Sequence, residues 1–398
     1  MLRGLLIWIG RIARFVGDLV LVVFGLAALG SLLPGIPVLG SIAPVFVAPY
    51  APWIVILSLV GVAAKILRWR RIGRLGTLVM AGIAGFAVVG LTVIQARQIA
   101  LARDNGVQVD LARTLWLGSE DHKGPPPRFL SYGADQGRPL GVAIYRPAAG
   151  AGHSPAPVLV YVHGGGWGGG SAKVRQSDMR WLADRGYLVI SIDYALSTKT
   201  RHTWDTTPPQ VGCALAWIAG NAPRFGGDPS RLALIGESAG GNIILTASYM
   251  AAEGTLRPSC AGSVPRIAAV IATYPIVDAT RMYRNRDVLA GPFGRIMTIN
   301  YTGGTPEQYP DRYALVSPPT HVTPAAPPTL LIVGGSDHRL PPPAAHEFVT
   351  RARDAGVSAR IIEVPYAEHS FDLPTGSIGS QLVRQATLRF LRENGVTP

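Results

Sequence analysis

The sequence predicts a doubly wound α/β domain with a mostly parallel sheet, preceded by N-terminal transmembrane helices. Three observations carry this. The first hundred residues hold three apolar runs, each about the 20 residues that cross a bilayer core. From residue 158 onward, short runs rich in β-branched and aliphatic residues recur, and such runs suit strands covered on both faces. Helical patterns separate these runs, and strands alternating with helices specify the α/β class.

The apolar runs come first in the chain. They cover residues 15–33, 42–64 and 75–94; Asp18 is the one charge in the first, and the other two carry none. Trp8, Tyr50, Trp53 and Trp69 fall near run ends, where interfacial aromatics gather. Arg3, Arg11 and Arg14 precede the first run, and Lys65, Arg68, Arg70, Arg71 and Arg74 follow the second. The excess of positive charge on cytoplasmic loops then sets the N-terminus and the second link in the cytoplasm. Three spans place the remainder of the chain outside the cytoplasm. If Asp18 keeps the first run in the interface, two spans invert that topology. The expected domains are therefore 1–104, a membrane region, and 105–398.

Composition agrees: 48% of the 398 residues are hydrophobic and only 15% charged. The formal charge of +13 is partly accounted for by the arginines flanking the apolar runs, and no nucleic-acid motif accompanies it. Cys213 and Cys260 are the two cysteines. They support neither a zinc site nor a disulfide framework and are expected as free, partly buried thiols, with one bridge open to them in an oxidising compartment.

In the second domain, strands are expected at 158–162, 188–192, 232–235, 268–273, 329–333 and 361–364, and helices at 210–219, 241–252, 343–355 and 379–393. In such folds ligands gather at the carboxyl ends of the strands. Residues 231–252, RLALIGESAGGNIILTASYMAA, read as a strand, a tight turn and a helix. The centre is G-E-S-A-G, which fits the elbow that lifts a nucleophilic serine above a sheet, at the N-terminus of a helix. Ser238 is that serine.

A serine needs a base, and the base an orienting acid. Asp337 lies just past the strand at 329–333, and His369 just past the last one; the chain order Ser, Asp, His matches the elbow. Asp193, Asp278 and Asp372 are rival acids. Of the remaining histidines, His122, His153, His163, His202, His321, His338 and His346, none follows the last strand. The glycine run in VLVYVHGGGWGGGS, residues 158–171, ends another strand. Bare backbone there presents N–H donors to an oxyanion, so Gly165, Gly166 and Ala239 are the expected oxyanion-hole residues.

HGGGW, the strand ending in Asp193-Tyr194, FGGDPSRL, GESAGG, VSPP, PPTLLIVGGSD and EHSF occur here in one order. That order resembles the α/β-hydrolase serine esterases, in the branch with hormone-sensitive-lipase-like and carboxylesterase-like enzymes and membrane-bound prenylcysteine methylesterases. The resemblance spans about residues 130–395 and leaves out the first hundred. It implies the α/β-hydrolase fold, a Ser238–His369–Asp337 triad, and hydrolysis of carboxylic esters through an acyl-enzyme, with no metal and no cofactor. The chain departs from the pattern at Ala195, where arginine is frequent, at Glu237 for aspartate, and at Ser370 for glycine.

The reading is thus a membrane-anchored serine carboxylesterase or lipase-like hydrolase. It acts on a small-molecule or lipid ester, with the membrane as partner and no nucleic acid; protein partners are unknown. An acyltransferase or peptidase with the same triad, and a catalytically silent binding module, are the alternatives. The long segment 274–328 is expected either as a cap over the serine or as a surface excursion.

Overall fold

A computed structural model describes residues 2–72, 74–118, 120, 122–150 and 155–398. His153 lies outside the described residues. The chain divides into two compact units. One holds residues 1–118 together with 334–336 and 364–382, and the other holds the rest.

The first unit contains the three apolar runs as long helices: α1 (Leu2–Leu32), α2 (Leu39–Ile72) and α3 (Leu75–Asp104). Each is long and apolar enough to cross a membrane. The helices outrun the apolar stretches because straight-chain polar residues such as Arg68, Arg70 and Arg97 continue a helix readily. Leu19, Val23, Phe46, Leu57, Val60 and Val89 face outward, and a smaller inner stripe of Ala28, Val47, Ala51, Ile54, Ala87, Leu91 and Ile94 packs the helices together. Apolar faces turned outward, with small residues at the contact, are the pattern of helices in lipid. Asp18, the charge within the first run, is ion-paired to Lys65 of α2. An acid in an apolar helix needs such a partner.

The second unit is built on an eight-stranded sheet: β1 (Arg128–Asp135), β2 (Arg138–Tyr145), β3 (Ala156–Val162), β4 (Leu188–Ile192), β5 (Gly227–Glu237), β6 (Ile267–Thr273), β7 (Thr329–Gly334) and β8 (Ala359–Val364), in the order β1-β2-β4-β3-β5-β6-β7-β8. Strands β4, β3, β5, β6 and β7 pair in parallel, and the β1–β2 hairpin joins β4 antiparallel. Between them run α4 (Gln176–Ala183), α5 (Thr207–Asn221), α6 (Ala239–Glu253), α7 (Ala279–Tyr283), α8 (Ala290–Thr302), α9 (Pro310–Leu315), α10 (Pro342–Asp354) and α11 (Ile378–Glu393). The fully buried Val158, Val160, Leu188, Ile190, Leu232, Leu234, Val270 and Leu331 make the sheet's core, which is why these strands read as continuous apolar runs.

Two features differ from expectation. The β1–β2 hairpin turns on Gln136 and Gly137, both at positive φ (46° and 79°). Its strands alternate weakly, with β1 mostly exposed, so it leaves little hydrophobic signature. The cysteines are not free thiols: Cys213 of α5 is bonded to Cys260, with Cα atoms 5.4 Å apart. The 47-residue separation hid a pairing that the return of the chain along α5 brings into range.

Candidate active site

The elbow forms where β5 meets α6. Ser238 sits between them at φ 51° and ψ −119°, a conformation that costs on the order of 1–3 kcal/mol for a residue with a side chain. The surroundings hold it there. The Ser238 N–H donates to the Thr273 carbonyl at 3.0 Å, and its own carbonyl accepts from Asn242 at 3.0 Å. Small neighbours are compulsory. A β-carbon on Gly236 would stand 2.8 Å from the Gly240 carbonyl carbon, and one on Gly240 would overlap the carbonyl oxygens of Val162 and His163. The helix therefore starts directly against the end of β3, where the glycine run begins.

That run is fitted to the serine. A β-carbon on Gly164 would lie 3.3 Å from Cβ of Ser238. Gly165 and Gly166 adopt φ of 115° and 58°, and Trp167 follows at 59°. The Gly165 carbonyl closes the turn by accepting from Gly168 and Gly169. Among the described residues, the N–H groups of Gly165 and Gly166 donate to no backbone acceptor. Beneath the loop, His163 is buried and stacked on Tyr194 at 4.3 Å. Its Nδ1 lies 2.7 Å from the Gly164 carbonyl, which only accepts, so Nδ1 carries the proton. Burial lowers the His163 pKa, against the opposing pull of that hydrogen bond and of Asp193. His163 is thus a neutral brace for the loop.

Sequence reading missed three further supports. Trp167 is buried, donates Nε1–H to Asn242 Oδ1 at 3.2 Å, and stacks on Tyr301 of α8 at 4.4 Å. Asn242 also donates to the carbonyls of Ile276 and Val316. A lone amide in the apolar run of α6 was the available signal. Met297 of α8 is the third: a β-carbon on Gly166 would stand 2.8 Å from its sulfur. Within the segment 274–328, α8 therefore packs against the glycine loop through Met297 and Tyr301.

Asp337 is buried in the turn after β7, and its Oδ1 accepts from the N–H groups of Arg339 and Leu340 at 2.9 and 2.8 Å. That fixes the carboxylate's rotamer. His369 is buried in the loop after β8, and its N–H donates to Glu368 Oε1. The two loops are stitched together: Gly335 N–H donates to Val364 O at 2.8 Å, and Ser336 N–H to Ala367 O at 2.9 Å. Ser370 follows at φ 64°, a conformation that suits the glycine of the family pattern.

Several of the rivals have other partners. Asp193 accepts from the N–H groups of Ala172 and Gly141, and Asp278 caps α7 through Arg281 N–H. His202 meets the Asn300 carbonyl, His321 bridges Glu253 and the Leu315 carbonyl, and His346 pairs with Glu363. Glu237 is held by Arg175 at 3.0 Å and by the Tyr274 hydroxyl. A pocket of about 310 Å³ is lined by Tyr274, Val277, Arg281, Met282, Arg339 and Leu340, beside the Asp337 turn.

Comparison with known proteins identifies the family and the fold. The BD-FAE family profile matches residues 142–351. The chain is 30% identical over 240 residues to the probable carboxylic ester hydrolase LipM of Mycobacterium tuberculosis, covering 60% of this chain and 54% of LipM. It is 29% identical over 296 residues to the esterase LipQ of the same organism, covering 72% and 68%. The chain thus spans only about half the length of LipM. Among solved structures, a thermophilic esterase of Thermogutta terrifontis has a TM-score of 0.56 at 22% identity, over 69% of this chain and 96% of that one. Esterase LipW of Mycobacterium marinum has a TM-score of 0.54 at 24% identity, over 76% and 89%. The elbow, the glycine loop and the sheet order therefore place this chain in the BD-FAE family of α/β-hydrolase esterases.

Proposed function

We propose that the protein is a membrane-anchored serine carboxylesterase. The observation that carries this is the strained Ser238 elbow packed against a glycine loop in which, among the described residues, the N–H groups of Gly165 and Gly166 donate to no backbone acceptor. The proposed triad is Ser238, His369 and Asp337. His369, oriented by Asp337, takes the Ser238 hydroxyl proton as the oxygen attacks the ester carbonyl. The N–H groups of Gly165, Gly166 and Ala239 receive the oxyanion, and each such donor contributes about 3 kcal/mol to the transition state. The alcohol leaves with the proton from His369. A water molecule activated by His369 then attacks the acyl-enzyme, and the acid departs as Ser238 regains its proton.

The pocket beside the Asp337 turn suits an apolar group of the ester, since Tyr274, Val277, Met282 and Leu340 contribute to its lining. The three apolar helices support a membrane anchor, and the arginines flanking them support a catalytic domain outside the cytoplasm. The Cys213–Cys260 bridge supports the same side, because disulfides persist in oxidising compartments.

The test is hydrolysis of p-nitrophenyl esters from two to sixteen carbons by the full chain in detergent, beside Ser238→Ala. Activity in the parent that falls at least about a thousandfold in the variant is expected. A parent that transfers acyl groups to an added alcohol while releasing no acid would replace the hydrolase with an acyltransferase. Equal rates in parent and variant would refute the serine mechanism.

A further inference from the structure

We propose that the N-terminal helices do more than anchor the enzyme: α3 positions the loop that carries the general base, with Gln98 as the positioning residue. This rests on the esterase reading above. Gln98 is only 7% exposed, on a buried side of α3 whose neighbouring residues Ala87, Gly90, Leu91, Ile94 and Ala102 carry no polar side chain. A buried amide without partners costs about 1–3 kcal/mol. Its partner is far away in sequence: Nε2–H donates to the Pro365 carbonyl at 3.0 Å, 267 residues on. Pro365 is four residues before His369.

The loop needs such a hold. Tyr366 and Ser370, on either side of His369, are both left-handed, at φ 58° and 64°. Strained residues of this kind persist only where the surroundings over-determine them. Tyr366 packs against the cluster of Val47, Ala51 and Ile94 on α2 and α3, directly after the carbonyl that Gln98 holds. The far end of the segment is tied in the same way. Gln381 Nε2–H donates to the carbonyls of Asp110 and Gly376, and Asp110 N–H donates back to Gln381 Oε1 at 2.7 Å. Gly118 N–H donates to the Thr375 carbonyl at 2.9 Å. Both ends of segment 364–382 are therefore fastened to residues 98–118, within one compact unit. A misplacement of a base by about 1 Å lowers turnover by about a hundredfold, so this fastening bears on rate.

The experiment compares the full chain in detergent with Gln98→Met, an apolar residue of similar length, and with Gln381→Met at the other end. Two readouts are taken: hydrogen exchange of the 365–375 backbone, and kcat and KM for a p-nitrophenyl ester. Faster exchange at 365–375 with unchanged exchange at 232–250 is expected, with kcat lower by about tenfold to a hundredfold and KM little altered. Unchanged exchange in both variants would overturn the attachment. Faster exchange with parental kcat would overturn the positioning role. A parent that hydrolyses no ester would refute the esterase reading, while the exchange data would still decide the attachment.

Discussion

Gly334 and Ala367 approach until nothing fits between them: a β-carbon on Gly334 would overlap the Ala367 carbonyl oxygen. This contact brings the end of β7, three residues before Asp337, against the loop that leads to His369. Gly334→Ala should push that loop away from the Asp337 turn. We expect kcat to fall at least tenfold, equivalent to about 1.4 kcal/mol of barrier, with KM close to the parent value. Steady-state kinetics beside a thermal melt checks this; parental kcat would show that the close approach is irrelevant to catalysis.

Met297 stands over Gly166, where its sulfur fills the space a β-carbon would take. Met297→Ala opens that space beside the proposed oxyanion donors. The chain-length optimum across the nitrophenyl series should move to longer acyl groups, with a destabilisation of about 1–3 kcal/mol from the lost packing. An unchanged optimum would remove α8 from the substrate-binding surface.

His163 sets a pH dependence of stability. Its pKa is lowered in the fold, chiefly by burial, so the native state favours the neutral ring. In the unfolded chain the ring titrates near about 6.5. Below that value the unfolded state binds the extra proton, so stability is full above about pH 6.5 and declines as pH falls toward the lowered native value, by up to about 1.4 kcal/mol per unit. Denaturant titrations at pH 7.5 and 5.5 should show the parent losing more stability than His163→Gln, which is weaker at pH 7.5 for lack of the stacked ring. Equal losses would mean that the ring is protonated in the fold.

The Cys213–Cys260 bridge closes a loop of sequence separation 47, and a closure of that size contributes about 4 kcal/mol in the chain-entropy account. Cys213→Ser should lower the melting temperature markedly and leave the chain-length optimum unchanged. In intact cells, a cysteine introduced at Lys123 should react with an impermeant maleimide if the domain lies outside. Reaction only after permeabilisation would reverse the topology.

The elbow at Ser238 and the glycine run were legible because local spacing is their mechanism: strand, tight turn and helix must meet within a few residues. The core strands were legible because they are covered on both faces. The β1–β2 hairpin was not, since its exposed residues carry no period. The disulfide was not, since nothing local records which helix Cys260 returns to. Asn242 and Met297 act through partners that lie 34 to 131 residues away in the chain, such as Ile276 and Gly166, beyond the reach of any periodicity.

By itself, then, the sequence determined the class of fold, the strand–turn–helix elbow at Ser238 and the three apolar helices. These depend on composition, period and neighbouring residues. Tertiary structure alone decided what holds the parts in place: the pairing of Asp18 with Lys65, the stacking of Trp167 on Tyr301, and the fastening of the His369 loop to Gln98. The physical reason is that a hydrogen bond or a packed ring is specified by distance in space, and chain folding sets that distance without leaving a trace in the local pattern.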